Sequence, residues 1–141
     1  MKFMPAITFS AIFFSAIASA GAAPDPHLEK AIQDGSQLYS HQTFAGNGRT
    51  CETCHVNGGV GPGKTPDGKS IPSLANAATI FPRFNPKAGK VLTLEDQIRG
   101  CVNGGLQGTP PAYGSDVLSN LVSYVTSLSQ GKPIAMGGKP E

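Results

Sequence analysis

The chain has 141 residues, of which 39% are hydrophobic, 7% aromatic and 14% charged, with a formal charge of +2. Globular domains carry roughly 25% charged residues, so this composition excludes a charge-rich disordered chain and a polybasic nucleic-acid binder. The length fits one small domain, and 18 Gly with 12 Pro predict a loop-rich fold.

At the N-terminus, Lys2 precedes a mostly apolar run from Ile7 to Ala18 and then small residues. That order is the pattern of a secretory signal peptide. Ala18-Ser19-Ala20 fits A-x-A cleavage, so residues 1–20 are expected to be removed, leaving a periplasmic chain with no stable membrane span. Gly21-Ala22-Ala23 is a second candidate cleavage site. The competing reading, an uncleaved anchor, is opposed by a run shorter than the ~20 residues that span a bilayer. Cleavage takes Phe3, Phe9, Phe13 and Phe14 away, and the chain has no Trp. A small domain with so little aromatic mass needs a staple such as a metal, a disulfide or a cofactor.

Residues 21–133 are expected to form the folded domain. Leu28, Ile32, Gly35 and Leu38/Tyr39 recur at helical spacing, predicting a helix from about Pro26 to Ser40. After a Gly46-Asn47-Gly48 bend comes Cys51-Glu52-Thr53-Cys54-His55. C-x-x-C-H is the attachment signature of c-type haem. One turn of chain sets the two thiols about as far apart as two vinyl groups, and the adjacent His55 can then reach the iron. A redox C-x-x-C, which wants a β-α-β setting without a counterpart here, competes with this reading. So do a zinc site from Cys51, Cys54, His55 and Cys101, and a plain Cys51–Cys54 disulfide.

Residues 56–90 hold six Gly and five Pro and read as mostly irregular loop. Thr93 is a helix N-cap with Glu95 and Asp96 in the first turn. Leu94, Ile98 and Cys101/Val102 share the face of a short helix stopped at Gly104-Gly105. Ser115 caps a last helix with the stripe Leu118, Leu121, Val122, Val125 and Leu128, ended by Gly131 and Pro133. Residues 134–141 read as a disordered tail. This order, helix, C-x-x-C-H, long loop, helix, resembles class I cytochromes c, whose terminal helices cross closely. Gly35 and Tyr124 are the candidates for that crossing, an absent Cβ letting a ring lie against backbone. The expected fold is mainly α, a small cytochrome c-like helical domain wrapped around one covalent haem, with long Gly/Pro-rich loops.

The loop before the last helix, Leu106 to Tyr113, contains no Met to serve as a sixth iron ligand, and Met136 lies beyond that helix. Cys101 is left as an odd cysteine in an exported chain. It can ligate the iron as a thiolate, form an intermolecular disulfide, be an inert buried thiol, or be a reactive thiol near an open haem. His41 is the main competing ligand. Lys64, Lys69, Lys87 and Lys90 read as solvated loop charges.

The run Phe81-Pro82-Arg83-Phe84-Asn85 through Val91-Leu92-Thr93-Leu94-Glu95 to Cys101 resembles the thiosulfate dehydrogenases and the SoxA subunit of the sulfur-oxidising Sox system. The resemblance covers about Cys51 to Lys132. It implies that Cys51, Cys54 and His55 bind haem, with His55 the proximal ligand and Cys101 the distal one at the catalytic site. Thiosulfate dehydrogenases typically carry two haem c domains, whereas this chain has one attachment motif, so a second haem is a partner's or absent. After Cys101 the polar and basic family residues give way to Val102-Asn103-Gly104-Gly105, which weakens the case for thiosulfate binding. Arg83 and Arg99 remain candidate anion contacts.

Three functions follow from these readings. The favoured one is a periplasmic monohaem cytochrome carrying one electron at a time, linked to sulfur-compound oxidation and partnered by a redox protein such as another cytochrome, with thiosulfate-oxidising activity left open together with a partner. Opposite it stands a catalytic haem subunit of the thiosulfate dehydrogenase or SoxA type, with His/Cys ligation. A sensor haem with an open sixth site is the third.

Overall fold

The computed structural model describes residues 25–141; the segment read as a signal peptide lies outside them. The fold is mainly helical. Helix α1 (Pro26–His41) starts where the Asp25 carboxylate accepts hydrogen bonds from the His27 and Leu28 amides at 2.8 and 3.3 Å, with Pro26 in the first turn. The last helix, α5 (Asp116–Ser127), starts where the Ser115 hydroxyl accepts from the Leu118 amide. Its stripe Leu118, Leu121 and Val125 is buried.

Helices α1 and α5 cross at Gly35. A Cβ there would collide with the Asn120 carbonyl and come 2.8 Å from Tyr124 Cβ, so only glycine lets the two backbones meet. One turn further on, the Tyr39 and Tyr124 rings lie 5.1 Å apart, tilted by 57°. Tyr39, Phe44, Val102, Leu106 and Leu121 form the core beside this crossing.

Helix α2 (Cys51–Cys54) is a single turn carrying the attachment motif. Helix α4 (Leu94–Gly104) begins at a reciprocal cap, where Thr93 and Asp96 each accept from the other's amide, and it buries Val102 completely. The bend before α2 and the loop after α4 are stitched together by the Asn47 amide to the Leu106 carbonyl and the Thr109 amide to the Phe44 carbonyl, each at 2.8 Å. Two segments distant in sequence thereby hold α2 and α4 in one frame.

Residues 56–90, expected as mostly irregular loop, contain short regular pieces. A 3-10 turn spans Asn57–Gly59, β1 (Gly63–Lys64) pairs antiparallel with β2 (Ser70–Ile71), and α3 (Ala77–Ile80) is a single helical turn. Strands β3 (Arg83–Asn85) and β4 (Lys90–Leu92) form a hairpin with Phe84 opposite Val91. The Asn85 side chain accepts from the Lys87 and Ala88 amides to close its turn.

The tail is a correction. Residues 134–141, read as disordered, lie against the 73–80 stretch: the Ala135 and Gly137 amides donate to the Thr79 and Ile80 carbonyls, both at 2.9 Å. The Asn76 side chain binds the Lys139 carbonyl and the Glu141 amide. Backbone hydrogen bonds and one clipping asparagine hold this segment, and neither produces a hydrophobic period in the sequence.

Candidate functional site

The α2 turn is short but braced. The Thr53 hydroxyl accepts from the Thr50 amide at 3.0 Å, and the His55 amide donates to the Cys51 carbonyl at 3.0 Å. Tyr39, buried on α1, donates its hydroxyl to the His55 carbonyl at 2.5 Å, and Tyr124 on α5 donates to the Gly58 carbonyl at 2.9 Å. A buried tyrosine needs an acceptor for its O–H; here both acceptors belong to the chain leaving the C-x-x-C-H turn. Gly63 presses on the same turn, and a Cβ there would strike the Cys54 carbonyl.

Cys51, Cys54 and His55 open onto one predominantly apolar cavity of about 500 Å³, within the range of roughly 300–1,000 Å³ typical of cofactor and ligand sites. The opposite walls come from α4 (Leu94, Gln97, Ile98, Cys101), from α5 (Leu121, Val125) and from the segment between Ile71 and Phe81. Cys101 lies on α4 at the cavity, and the surface it exposes is part of that wall. The structure thus brings together all four residues singled out in the sequence. They are free thiols and one imidazole set around a large space, whereas a zinc centre needs its ligands gathered tetrahedrally within about 2.3 Å of one ion.

Electrostatics match an apolar wall. Burial pushes the Cys51 thiol up to about 12, with the nearby Cys101 and Cys54 sulfurs adding to the effect. Burial likewise raises the Cys101 thiol, while a hydrogen bond from Gln97 Nε2 to Sγ at 3.4 Å works the other way. His55 is held below the usual imidazole value by burial, opposed by the neighbouring Pro72 carbonyl. Its Nδ1 is buried without a well-formed hydrogen bond. An imidazole held neutral beside two motif cysteines, together with apolar walls, fits a covalently tethered haem: thioether sulfurs carry no charge, and an imidazole lone pair is an iron ligand.

Other candidates fall elsewhere. His41 lies in a separate open groove between α1 and α5, with Asp34 and Asp116. Exposed Met136 is not among the residues lining the cavity, nor are Lys64, Lys69, Lys87 and Lys90. Arg83 lines the cavity, its guanidinium 5.3 Å from the Phe81 ring centroid. Arg99, a candidate anion contact in the sequence, is instead engaged away from it: it donates to the Pro111 carbonyl and lies 4.1 Å over the Tyr113 ring. Sequence reasoning missed the roles of Tyr39 and Gln97. Gln97 was legible in principle, because it precedes Cys101 by four residues and so shares its helix face.

Comparison with known proteins agrees with this geometry. Residues 34–134 match the family model described as SoxA/TsdA, cytochrome c domain. A thiosulfate dehydrogenase of Allochromatium vinosum is 31% identical over 129 residues, covering 84% of this chain and 44% of that protein. The solved thiosulfate dehydrogenase TsdBA of Marichromatium purpuratum superposes with a TM-score of 0.64 at 25% identity, over 85% of this chain and 26% of that one. SoxXA of P. pantotrophus shares the fold, with a TM-score of 0.63 at 19% identity over 79% of this chain and 37% of that one. The chain spans less than half the length of each curated relative it matches. With the family model covering most of the domain and the haem motif set in a cavity that suits it, the chain belongs to the SoxA/TsdA cytochrome c domain family and binds covalent haem c.

Proposed function

We propose that this protein is a periplasmic monohaem cytochrome that passes single electrons to or from a redox partner, another cytochrome, in the oxidation of sulfur compounds. The observation that carries the reading is the meeting of Cys51, Cys54, His55 and Cys101 on one apolar cavity. Bound haem c supplies a ferric/ferrous couple. Cys51 and Cys54 would hold it through thioethers, and His55 and a Cys101 thiolate from α4 would be the residues that bind its iron. The apolar walls exclude water and keep the ligand geometry fixed as the charge changes, which keeps reorganisation small. Thiolate donation stabilises the ferric state, so the potential lies below that of a His/Met haem. The sulfur setting is supported by relatives named thiosulfate dehydrogenases, and the periplasmic location by the leader-like residues 1–20.

Low-temperature EPR of the ferric protein tests the ligation. A low-spin thiolate-type signal is expected, and it disappears in Cys101→Ala. An unchanged spectrum removes Cys101 from the iron.

One observation favours a second reading, a catalytic haem subunit: Arg83 shares the cavity wall with Cys101, placing a cation where an anion such as thiosulfate would enter. Reduction of the haem by thiosulfate, lost in Arg83→Ala, supports it. No reduction at any thiosulfate concentration leaves electron transfer alone.

A further inference from the structure

Gln97 stands one helical turn before Cys101 on α4, and its side-chain Nε2 donates to Cys101 Sγ at 3.4 Å. Both residues line the cavity, flanked there by apolar Leu94 and Ile98. From this geometry we propose that Gln97 is the positioning residue that sets how strongly Cys101 donates to the haem iron. The inference rests on the Cys101 ligation proposed above.

A hydrogen bond to a ligating sulfur draws electron density away from the metal–sulfur bond, and such bonds tune the potentials of thiolate-ligated metals. The effect is larger away from water, where no solvent donor replaces a lost one. The amide is neutral, so it moderates the thiolate without introducing a charge into an apolar wall. Because donor and acceptor are four residues apart on one helix, the bond also fixes the direction of Sγ. Gln97 therefore favours the ferrous state relative to a bare thiolate.

The test is the midpoint potential and ferric EPR spectrum of the holoprotein in four forms: wild type, Gln97→Leu, Cys101→Ala and the double variant. Gln97→Leu is expected to keep the thiolate signal with altered g-values and to shift the ferric/ferrous equilibrium about tenfold toward ferric, near 59 mV for one electron. In the Cys101→Ala background the same substitution changes nothing, the coupling a purely structural role would not show. Gln97→Met keeps the side-chain length but carries neither a hydrogen-bond donor nor a charge. It shifts the potential in the same direction, and it serves if the leucine variant fails to fold. An unchanged potential with the Cys101-dependent signal intact overturns the role of Gln97 alone. A shift of equal size in the Cys101→Ala background does the same. A wild-type spectrum without any Cys101-dependent signal overturns the ligation, and the role of Gln97 with it.

Discussion

Asp96 shows how single residues build the wall that carries Cys101. Its carboxylate accepts from the Tyr113 hydroxyl and from the Thr93 amide, and these bonds, the tyrosine's first, hold it below the usual carboxylate range. Tyr113 in turn supports the Arg99 guanidinium, which donates to the Pro111 carbonyl. Together they tie the start of α4 to the loop that follows it. A depressed folded value means that the ionised form stabilises the fold above the unfolded aspartate value of about 3.9, and that this contribution is lost as pH falls through the folded value. Tyr113→Phe is therefore expected to lower the urea midpoint at pH 7 and to have a much smaller effect near pH 2. NMR titration should show the Asp96 value moving back toward that of a free carboxylate. Arg99 is also the plainest limit of reading chemistry from residue type. An arginine near a candidate site looks like an anion contact, and only the position of Tyr113 shows where its charge is used.

At the scale of elements, α1, α4 and α5 are legible in the sequence because each joins a helix-start residue to an apolar stripe over two or more turns. The pieces between residues 57 and 92 are not, since strands of two or three residues are too short to show alternation. They are held by turn bonds and by neighbours remote in sequence. The haem motif is legible because thioether spacing is local chemistry. That Cys101 faces the same cavity depends on the placement of α4, and a sequence without a solved fold cannot supply that. The α1–α5 crossing gives the clearest stability prediction. Gly35→Ala gains helix propensity of about 1 kcal/mol, yet forces a methyl into the Asn120 carbonyl and Tyr124 Cβ. Overpacking of this kind costs about 1–3 kcal/mol and at times more, and backbone has little room to yield. A net loss toward the upper end of the difference, up to about 2 kcal/mol, is expected in urea denaturation of the holoprotein.

For the molecule as a whole, the cavity matters as much as the core. Of the largest fully buried side chains, Tyr39 and Leu121 line a space comparable to a cofactor, and α4, α5 and the 71–81 segment all face it. Those walls would make their inward contacts with a bound haem, so its binding energy would be folding energy. A Cys51→Ala/Cys54→Ala chain purified without haem is expected to keep helical far-UV dichroism while losing near-UV dichroism and dispersed NMR methyl signals. A sharply dispersed apo spectrum would show that the helices stand without it.

The pairing of α1 with α5 also bears on the order of events in making the protein. These helices begin at residues 26 and 116, so their contacts span nearly the whole domain, and such long-range closure is slow. A nascent chain that has not yet released α5 cannot bury Tyr39 against Tyr124 or seal the wall that Leu121 and Val125 provide. Until that last helix docks, the cavity onto which Cys51 and Cys54 open lacks its α5 wall. The topology leaves those thiols more accessible to a cofactor before this step than after it.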